Sequence, residues 1–168
     1  DNLSFKNNTK LKKVFPKINE EILFSNQIIE MNYDKNNFLI KGKGEIFLQN
    51  KKDKITYSID KKEKKYEISS TLEILNNSVS IDLLNYKNKD NSKVFIKFDG
   101  DYFLNGEIFI KYFSLNEKEN KFSLKNLLID KNKTIQKLEN ITLNYKDIEN
   151  IQNNLTITNK KDSFFLKG

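Results

Sequence analysis

The sequence has no cysteine, histidine, tryptophan, arginine or alanine, and its 168 residues include one proline and five glycines. The absence of cysteine excludes disulfides, thiolate-bound zinc, iron–sulfur clusters and thiol nucleophiles. The absence of histidine removes the usual general base of a nucleophile–base pair. We therefore expect no metal site and no cofactor.

Long apolar runs are also missing. No stretch approaches the roughly 20 residues that a membrane-spanning helix needs, and no signal peptide is visible. Because the chain begins at Asp1 rather than at methionine, we expect it to be a portion of a longer protein, with any anchor or export signal outside it.

All of the positive charge comes from lysine. Thirty lysines stand against 23 acids, which gives a formal net charge of +7. A basic chain can bind nucleic acid or an anionic surface, but pairs such as Lys51-Lys52 and Lys61-Lys62 fall between predicted strands, where solvated turn residues are expected. A phosphate-binding stripe would favour arginine for its bidentate fork. We therefore predict no nucleic-acid partner.

The dominant pattern is an alternation of apolar and polar residues, which is typical of half-buried strands. It predicts strands over 22–33, 37–50, 54–61, 65–75, 78–87, 93–99, 101–115, 121–130, 135–146, 154–159 and 163–167. The short intervals are rich in Asn and Asp, which suit hairpin turns where glycine is scarce. The predicted fold class is all-β: an elongated antiparallel meander curled into a β-groove, or alternatively a closed β-sandwich or jelly roll. Residues 1–168 then form a single β-rich domain or a segment of a longer repetitive β-groove protein.

The N-terminal segment is the least sheet-like. Apolar residues at spacings of three and four between Leu11 and Ile22 predict a short amphipathic helix over about 10–23. Pro16 would have to lie near its first turn. The alternative is a strand that begins at Glu21 and continues through Asn32.

Three glycines end similar Phe-Leu motifs. Gly42, Gly106 and Gly168 each follow a Phe-Leu pair, at intervals of 64 and 62 residues. An internal repeat of this length would indicate a stacked, elongated architecture. The alternative is that glycine marks bulges or bends in strands.

Asp99 and Asp101, on either side of Gly100, are the candidates for a pair of catalytic carboxylates. Glycosidases need only two suitably spaced carboxyl groups. A tight turn between two strands explains the same Asp-Gly-Asp sequence, and the ligand series of a calcium loop is missing. We therefore predict a turn here, no catalytic residue and no enzyme.

One face of the predicted sheet is apolar, and its residues are candidates for lining a lipid groove. These residues are Ile55, Tyr57, Ile59, Ile68, Leu72, Ile74, Val79, Ile81, Leu83, Val94, Ile96, Phe98, Ile141 and Leu143. In a closed sandwich or barrel they would form the core. In an open, bent sheet they would line a groove for acyl chains, and periodicity is compatible with both.

Four segments in the last 66 residues carry a family likeness: Gly106–Ile110, Phe122–Asp130, Leu138–Leu143 and Ser163–Gly168. In succession they resemble the repeated strands of bacterial AsmA-like proteins, the group that includes TamB-type and YhdP-type chains. Such proteins have an inner-membrane anchor and a long periplasmic β-groove. The resemblance implies a periplasmic location, phospholipid acyl chains as ligands, and an inner-membrane anchor and outer-membrane partner that are reached through regions outside this chain.

The leading hypothesis is a non-enzymatic segment of a bridge-like lipid-transport protein. Acyl chains would move along a hydrophobic β-groove between the inner and outer membranes, shielded from water by apolar side chains. One alternative is a structural or adhesive β-sandwich or β-solenoid module with a closed core. The other is a lipopolysaccharide-bridge jelly roll of the LptA/LptC type, which would assemble end to end.

Overall fold

A computed structural model describes residues 3–6, 18–35, 37–89, 91–160 and 163–168. The strands are β1 (Leu3–Lys6), β2 (Glu21–Asp34), β3 (Asn37–Phe47), β4 (Lys52–Lys61), β5 (Lys65–Ile74), β6 (Ser80–Ile81), β7 (Tyr86–Lys87), β8 (Val94–Phe103), β9 (Ile108–Glu117), β10 (Asn120–Ile129), β11 (Ile135–Lys137), β12 (Asn140–Lys146), β13 (Gln152–Lys160) and β14 (Ser163–Lys167). A 3₁₀ turn, Asp82–Leu84, separates β6 from β7. The prediction of an all-β fold is confirmed.

Twelve strands form one antiparallel sheet, and β6 and β7 form a separate small ribbon. The sheet follows chain order from β1 to β14, with β11 pairing β10 beside β12. The extensive contacts of each strand are with the strands hydrogen-bonded beside it, and the outermost strands, β1 and β14, do not pair with each other. In the described ranges the sheet is therefore an open, single-layer meander rather than a closed sandwich or jelly roll.

The register separates an apolar face from a polar face, because directly paired residues of adjacent strands point to the same side. One cross-strand row consists of Ile55, Leu72, Ile96, Leu115, Phe122, Leu143 and Leu155. The neighbouring row consists of Thr56, Thr71, Lys97, Ser114, Ser123, Thr142 and Thr156. The first row defines the apolar face of the sheet, and the second defines its polar face.

The connection between β5 and β8 covers one end of the apolar face. We call this connection, residues 75–93 without the undescribed position 90, the cover segment. Its Val79 and Tyr86 are buried together with strand residues Ile46, Ile74, Val94, Leu115, Phe122 and Tyr145. The ring of Tyr86 lies 4.7 Å from that of Phe122 and 6.0 Å from that of Tyr145, measured between centroids. The buried core of the protein is thus made where the cover segment meets the sheet.

Two buried carboxylates fix the cover segment at its two ends. At the first end, Asp53 accepts hydrogen bonds from the backbone N–H groups of Leu75 (2.9 Å) and Asn76 (3.0 Å) and from the Asn77 amide (2.6 Å). These bonds occupy both oxygens of Asp53, which is almost fully buried. The beginning of the segment is therefore tied to the start of β4.

Glu117, at the end of β9, holds the other end. Its carboxylate accepts hydrogen bonds from the Tyr86 hydroxyl (2.8 Å), the Lys89 backbone N–H (2.8 Å), the Asn120 amide (2.9 Å) and the Ser92 hydroxyl. Burial works against ionisation of this group, but the hydrogen bonds it accepts hold the pKa of Glu117 below its ordinary value. Burial and the bond to Glu117 raise the pKa of Tyr86. The pair therefore stays as a phenol donating to a carboxylate.

The predicted strand over 78–87 is wrong, because the cover segment turns back on itself there. Asn85 has a left-handed backbone (φ 49°), and its N–H donates to the Asp82 carbonyl. Of the candidate groove residues in this stretch, Val79 is buried in the core and Ile81 packs against it. Leu83 is 94% exposed at the 3₁₀ turn. The apolar alternation of this stretch therefore reflects burial of single residues rather than a strand of the sheet.

The turn predicted at Asp99-Gly100-Asp101 is also wrong, because β8 runs straight through it. The chain turns instead at 104–107, where Gly106 has φ +92°. Gly100 marks an irregularity in the pairing of β8 with β9. A Cβ atom at Gly100 would lie 2.6 Å from the backbone oxygen of Phe109. Glycine is needed here for close strand approach, not for a turn.

Three further sequence predictions are corrected. The helix was predicted over 10–23, and its first eight residues, 10–17, lie outside the described residues. Because β2 starts at Glu21, the alternative prediction of a strand is right from that residue on. The single strand predicted over 135–146 is divided into β11 and β12. The glycines of the proposed repeat occupy different places, since Gly42 lies inside β3 and Gly106 in a turn. These two motifs do not mark equivalent units.

Glu117→Gln should loosen the cover segment. The glutamine carbonyl oxygen still accepts hydrogen bonds, but its NH₂ group only donates, so the donors among Tyr86, Ser92 and Lys89 that face this nitrogen lose their acceptor, at a cost of about 1–3 kcal/mol in unfolding free energy. Urea denaturation measures this loss, and hydrogen exchange should show faster exchange in the cover segment than in β4. The matched control is Glu119→Gln, because the Glu119 side chain is 87% exposed and lies 3.7 Å from Lys146. Equal effects of the two substitutions would contradict this role for Glu117.

Gly100→Ala should destabilise the protein by about 1–3 kcal/mol, since the added methyl meets fixed backbone in a packed region. Gly42→Ala is the matched control within the sheet, because there the added methyl meets the ring of Tyr57, a side chain that can turn away. Chemical denaturation of both variants measures the difference. A smaller loss for Gly100→Ala than for Gly42→Ala would refute the argument.

Candidate functional site

The structure brings eleven of the fourteen candidate groove residues onto the apolar face. They are Ile55, Tyr57, Ile59, Ile68, Leu72, Ile74, Val94, Ile96, Phe98, Ile141 and Leu143. Ile74 and Val94 are fully buried under the cover segment, and Ile55, Leu72, Ile96 and Leu143 pack against the same core. The other five lie farther along their strands, beyond that core.

The apolar face also includes residues that sequence analysis missed. Ile29 pairs with Gly42, Met31 with Ile40 and Tyr33 with Phe38, which places these β2 residues on the apolar face. At the opposite edge, Phe164 and Leu166 of β14 lie on it too. Met31 is 64% exposed and Leu166 is 71% exposed. The alternation of apolar and polar residues in 22–33 and 163–167 was sufficient to predict two strands. Only the register shows that both strands contribute side chains to the apolar face.

We call the part of the apolar face beyond the cover segment the uncovered face. It extends from Met31 on β2, across Ile59 and Ile68 at the centre, to Leu166 on β14. The two central residues are half-buried, and the two at the edges are exposed. The uncovered face therefore presents apolar side chains across several neighbouring strands.

The largest of the cavities described lies on the polar face, where sequence analysis predicted no site. Its volume is about 460 Å³. Its lining includes four hydroxyl residues of β4 and β5, namely Thr56, Ser58, Ser69 and Thr71. Longer side chains line it on either side: Ile28, Glu30, Lys41 and Lys43 on β2 and β3, and Lys97, Asp99 and Tyr112 on β8 and β9. Short side chains between long ones thus produce a depression in the sheet surface, which we call the polar-face cavity.

A buried ion cluster lies beside this cavity. The Asp101 carboxylate forms ion pairs with the ammonium groups of Lys111 (2.7 Å) and Lys65 (3.0 Å), and the Asp101 side chain is 4% exposed. Burial favours the neutral acid, but the ammonium groups of Lys111 and Lys65 hold the pKa of Asp101 below its ordinary value. A general acid needs a raised pKa. The lowered pKa of Asp101 is the opposite of what a general acid needs.

No family model, curated protein or solved structure matches the chain. The AsmA-like resemblance therefore stays a prediction that rests on the residues given above. In the described part, the chain forms no helix of the length and apolarity needed to cross a bilayer.

Asp101→Asn should lower the unfolding free energy at neutral pH by about 1–3 kcal/mol, because two lysines lose a buried counter-ion. The folded pKa of Asp101 is lowered, so its stabilisation is present above the unfolded value of about 3.9 and is lost as pH falls through the folded pKa. The difference between wild type and variant should therefore shrink in acid. Urea titrations at about pH 7 and about pH 3 measure it.

Asp99→Asn is the control for this pair. The Asp99 side chain is 53% exposed and lies 3.8 Å from Lys111, so its replacement should cost less than about 0.5 kcal/mol at either pH. A pH-independent loss for Asp101→Asn would show that the charge of Asp101 does not contribute.

Proposed function

We propose that this chain is a non-enzymatic lipid-binding segment, in which the uncovered face shields phospholipid acyl chains from water. The supporting observation is that apolar side chains occupy one face of a single-layer sheet while the cover segment buries only one end of it. Exposed residues such as Met31 and Leu166 leave apolar surface in contact with water. Large exposed apolar surfaces are characteristic of binding sites.

The energetics favour a ligand with two acyl chains. Full burial of a methylene group contributes about 0.8 kcal/mol. On an open sheet each methylene touches protein on one side only, so about ten half-buried methylenes give about 4 kcal/mol per chain. Association itself costs at least about 4 kcal/mol, so one chain leaves little net affinity, whereas two chains contribute about 8 kcal/mol and exceed this cost. A diacyl phospholipid is therefore the ligand class that we propose.

The wider assignment follows from the resemblance to AsmA-like proteins. We place the segment in the periplasm, within a bridge-like transport protein whose inner-membrane anchor and outer-membrane partner lie outside this chain. Weak, non-polar contacts suit such a role, because a lipid in transit must be released as readily as it is bound. In the described part, β1 and β14 are the outermost strands of the sheet, and a longer β-groove protein would continue the same face by pairing further strands beside them.

Ile68→Glu should reduce phospholipid binding at least about tenfold, because a carboxylate in contact with an acyl chain loses hydration without a partner. The measurement is binding of a fluorescent phosphatidylcholine, supported by mass spectrometry of lipids that copurify with the protein. Ser123→Glu is the matched control, since it adds the same charge to the polar face. Circular dichroism and thermal melting check that both variants fold.

Three results would reject the proposal. One is purified wild-type protein that neither carries phospholipid nor binds phosphatidylcholine saturably, which favours a structural module. Another is equal loss of binding in Ile68→Glu and Ser123→Glu. The third is concentration-dependent oligomerisation that occludes the uncovered face, which favours end-to-end assembly of the LptA/LptC kind.

A further inference from the structure

The polar-face cavity combines three lysines with hydroxyl side chains at the centre of the sheet. Lys41 and Lys43 belong to β3 and Lys97 to β8, with β4 and β5 between them. Glu30 lies directly opposite Lys41 in the register, but in the part of the chain that the structure describes none of the three lysines lies within ion-pair distance of a carboxylate. Lysines around the cavity differ, since Lys65 and Lys111 both bind Asp101. The three cavity lysines thus have ammonium groups available for a ligand.

The register fixes how these groups are spaced. Lys43, Thr56, Thr71 and Lys97 form one cross-strand row, so the two lysine backbones are separated by three strand spacings, or about 14 Å. Lys41, two residues before Lys43, lies on the same face at about 7 Å along β3. The row that begins at Lys41 continues through Ser58 and Ser69 to Asp99. A ligand in the cavity would therefore have cations on two sides and hydroxyl groups beneath it.

The chemistry of the lining indicates the class of ligand. Ammonium groups bind phosphate as point charges, and hydroxyl groups donate further hydrogen bonds to its oxygens. The acids Glu30 and Asp99, at opposite sides, can accept hydrogen bonds from hydroxyl groups of the ligand. A volume of about 460 Å³ is within the range of small-molecule sites, about 300–1,000 Å³. It is much larger than a phosphate ion needs.

We propose that the polar-face cavity binds the phosphate ester of a polyhydroxyl compound, with Lys43 and Lys97 as the main phosphate ligands. The same chemistry occurs in a soluble sugar or glycerol phosphate and in a phosphoglycerol lipid headgroup. This site lies on the face opposite to the proposed acyl-chain site and does not rest on that proposal.

The test is isothermal titration calorimetry with glycerol 3-phosphate, and cosedimentation with phosphatidylglycerol vesicles. The double variant Lys43→Gln/Lys97→Gln should weaken binding at least about tenfold. Its matched control, Lys121→Gln/Lys125→Gln, removes the same charge from the same face outside the cavity and should change binding less than about twofold. Glycerol without phosphate should not bind.

A second pair of variants separates the contribution of the cavity's shape from that of its charge. Ser69→Phe fills the cavity without changing charge and should also reduce binding about tenfold, whereas Ser123→Phe, elsewhere on the polar face, should not. Binding of glycerol 3-phosphate identifies a soluble ester, and binding to vesicles alone identifies a headgroup. Equal losses in the cavity and control variants, or no saturable binding of either probe, would overturn the proposal. Phosphatidylcholine binding measured in parallel reports the uncovered face separately.

Discussion

The contact between the cover segment and the sheet is the constraint on which the rest of this structure depends. A single-layer sheet cannot bury its own apolar face, and in the described part no second large sheet packs on it. The cover segment supplies that layer at one end, where Tyr86 and Val79 complete the buried core. Asp53 and Glu117 hold it there through buried hydrogen bonds. Burial of apolar side chains is therefore concentrated at this end of the sheet.

The sequence predicted the sheet well because alternation is a local property. From Ile55 to Ile59 and from Val94 to Phe98, apolar residues at every second position placed the right side chains on one face. The same signal failed at 78–87, since single buried residues such as Val79 imitate a strand. The turn predicted from the Asp-Gly-Asp sequence at Gly100 was wrong for another reason. Whether a glycine allows a turn or a close approach of two strands depends on the strand that lies beside it.

The polar-face cavity was beyond sequence reasoning for a different reason. Adjacent lysines such as Lys61 and Lys62 are visible in the sequence because they are neighbours in the chain. Lys43 and Lys97 are 54 positions apart and meet only through the pairing of β3, β4, β5 and β8. A site made by cross-strand neighbours becomes visible only when the register is known. The same holds for Met31 and Leu166 on the opposite face.

The apolar face and the polar face are formed by the same strands. Tyr57 and Phe98, on the apolar face, belong to the row that lies between the two rows lining the polar-face cavity. A ligand on either face therefore rests on the same stretches of β4, β5 and β8.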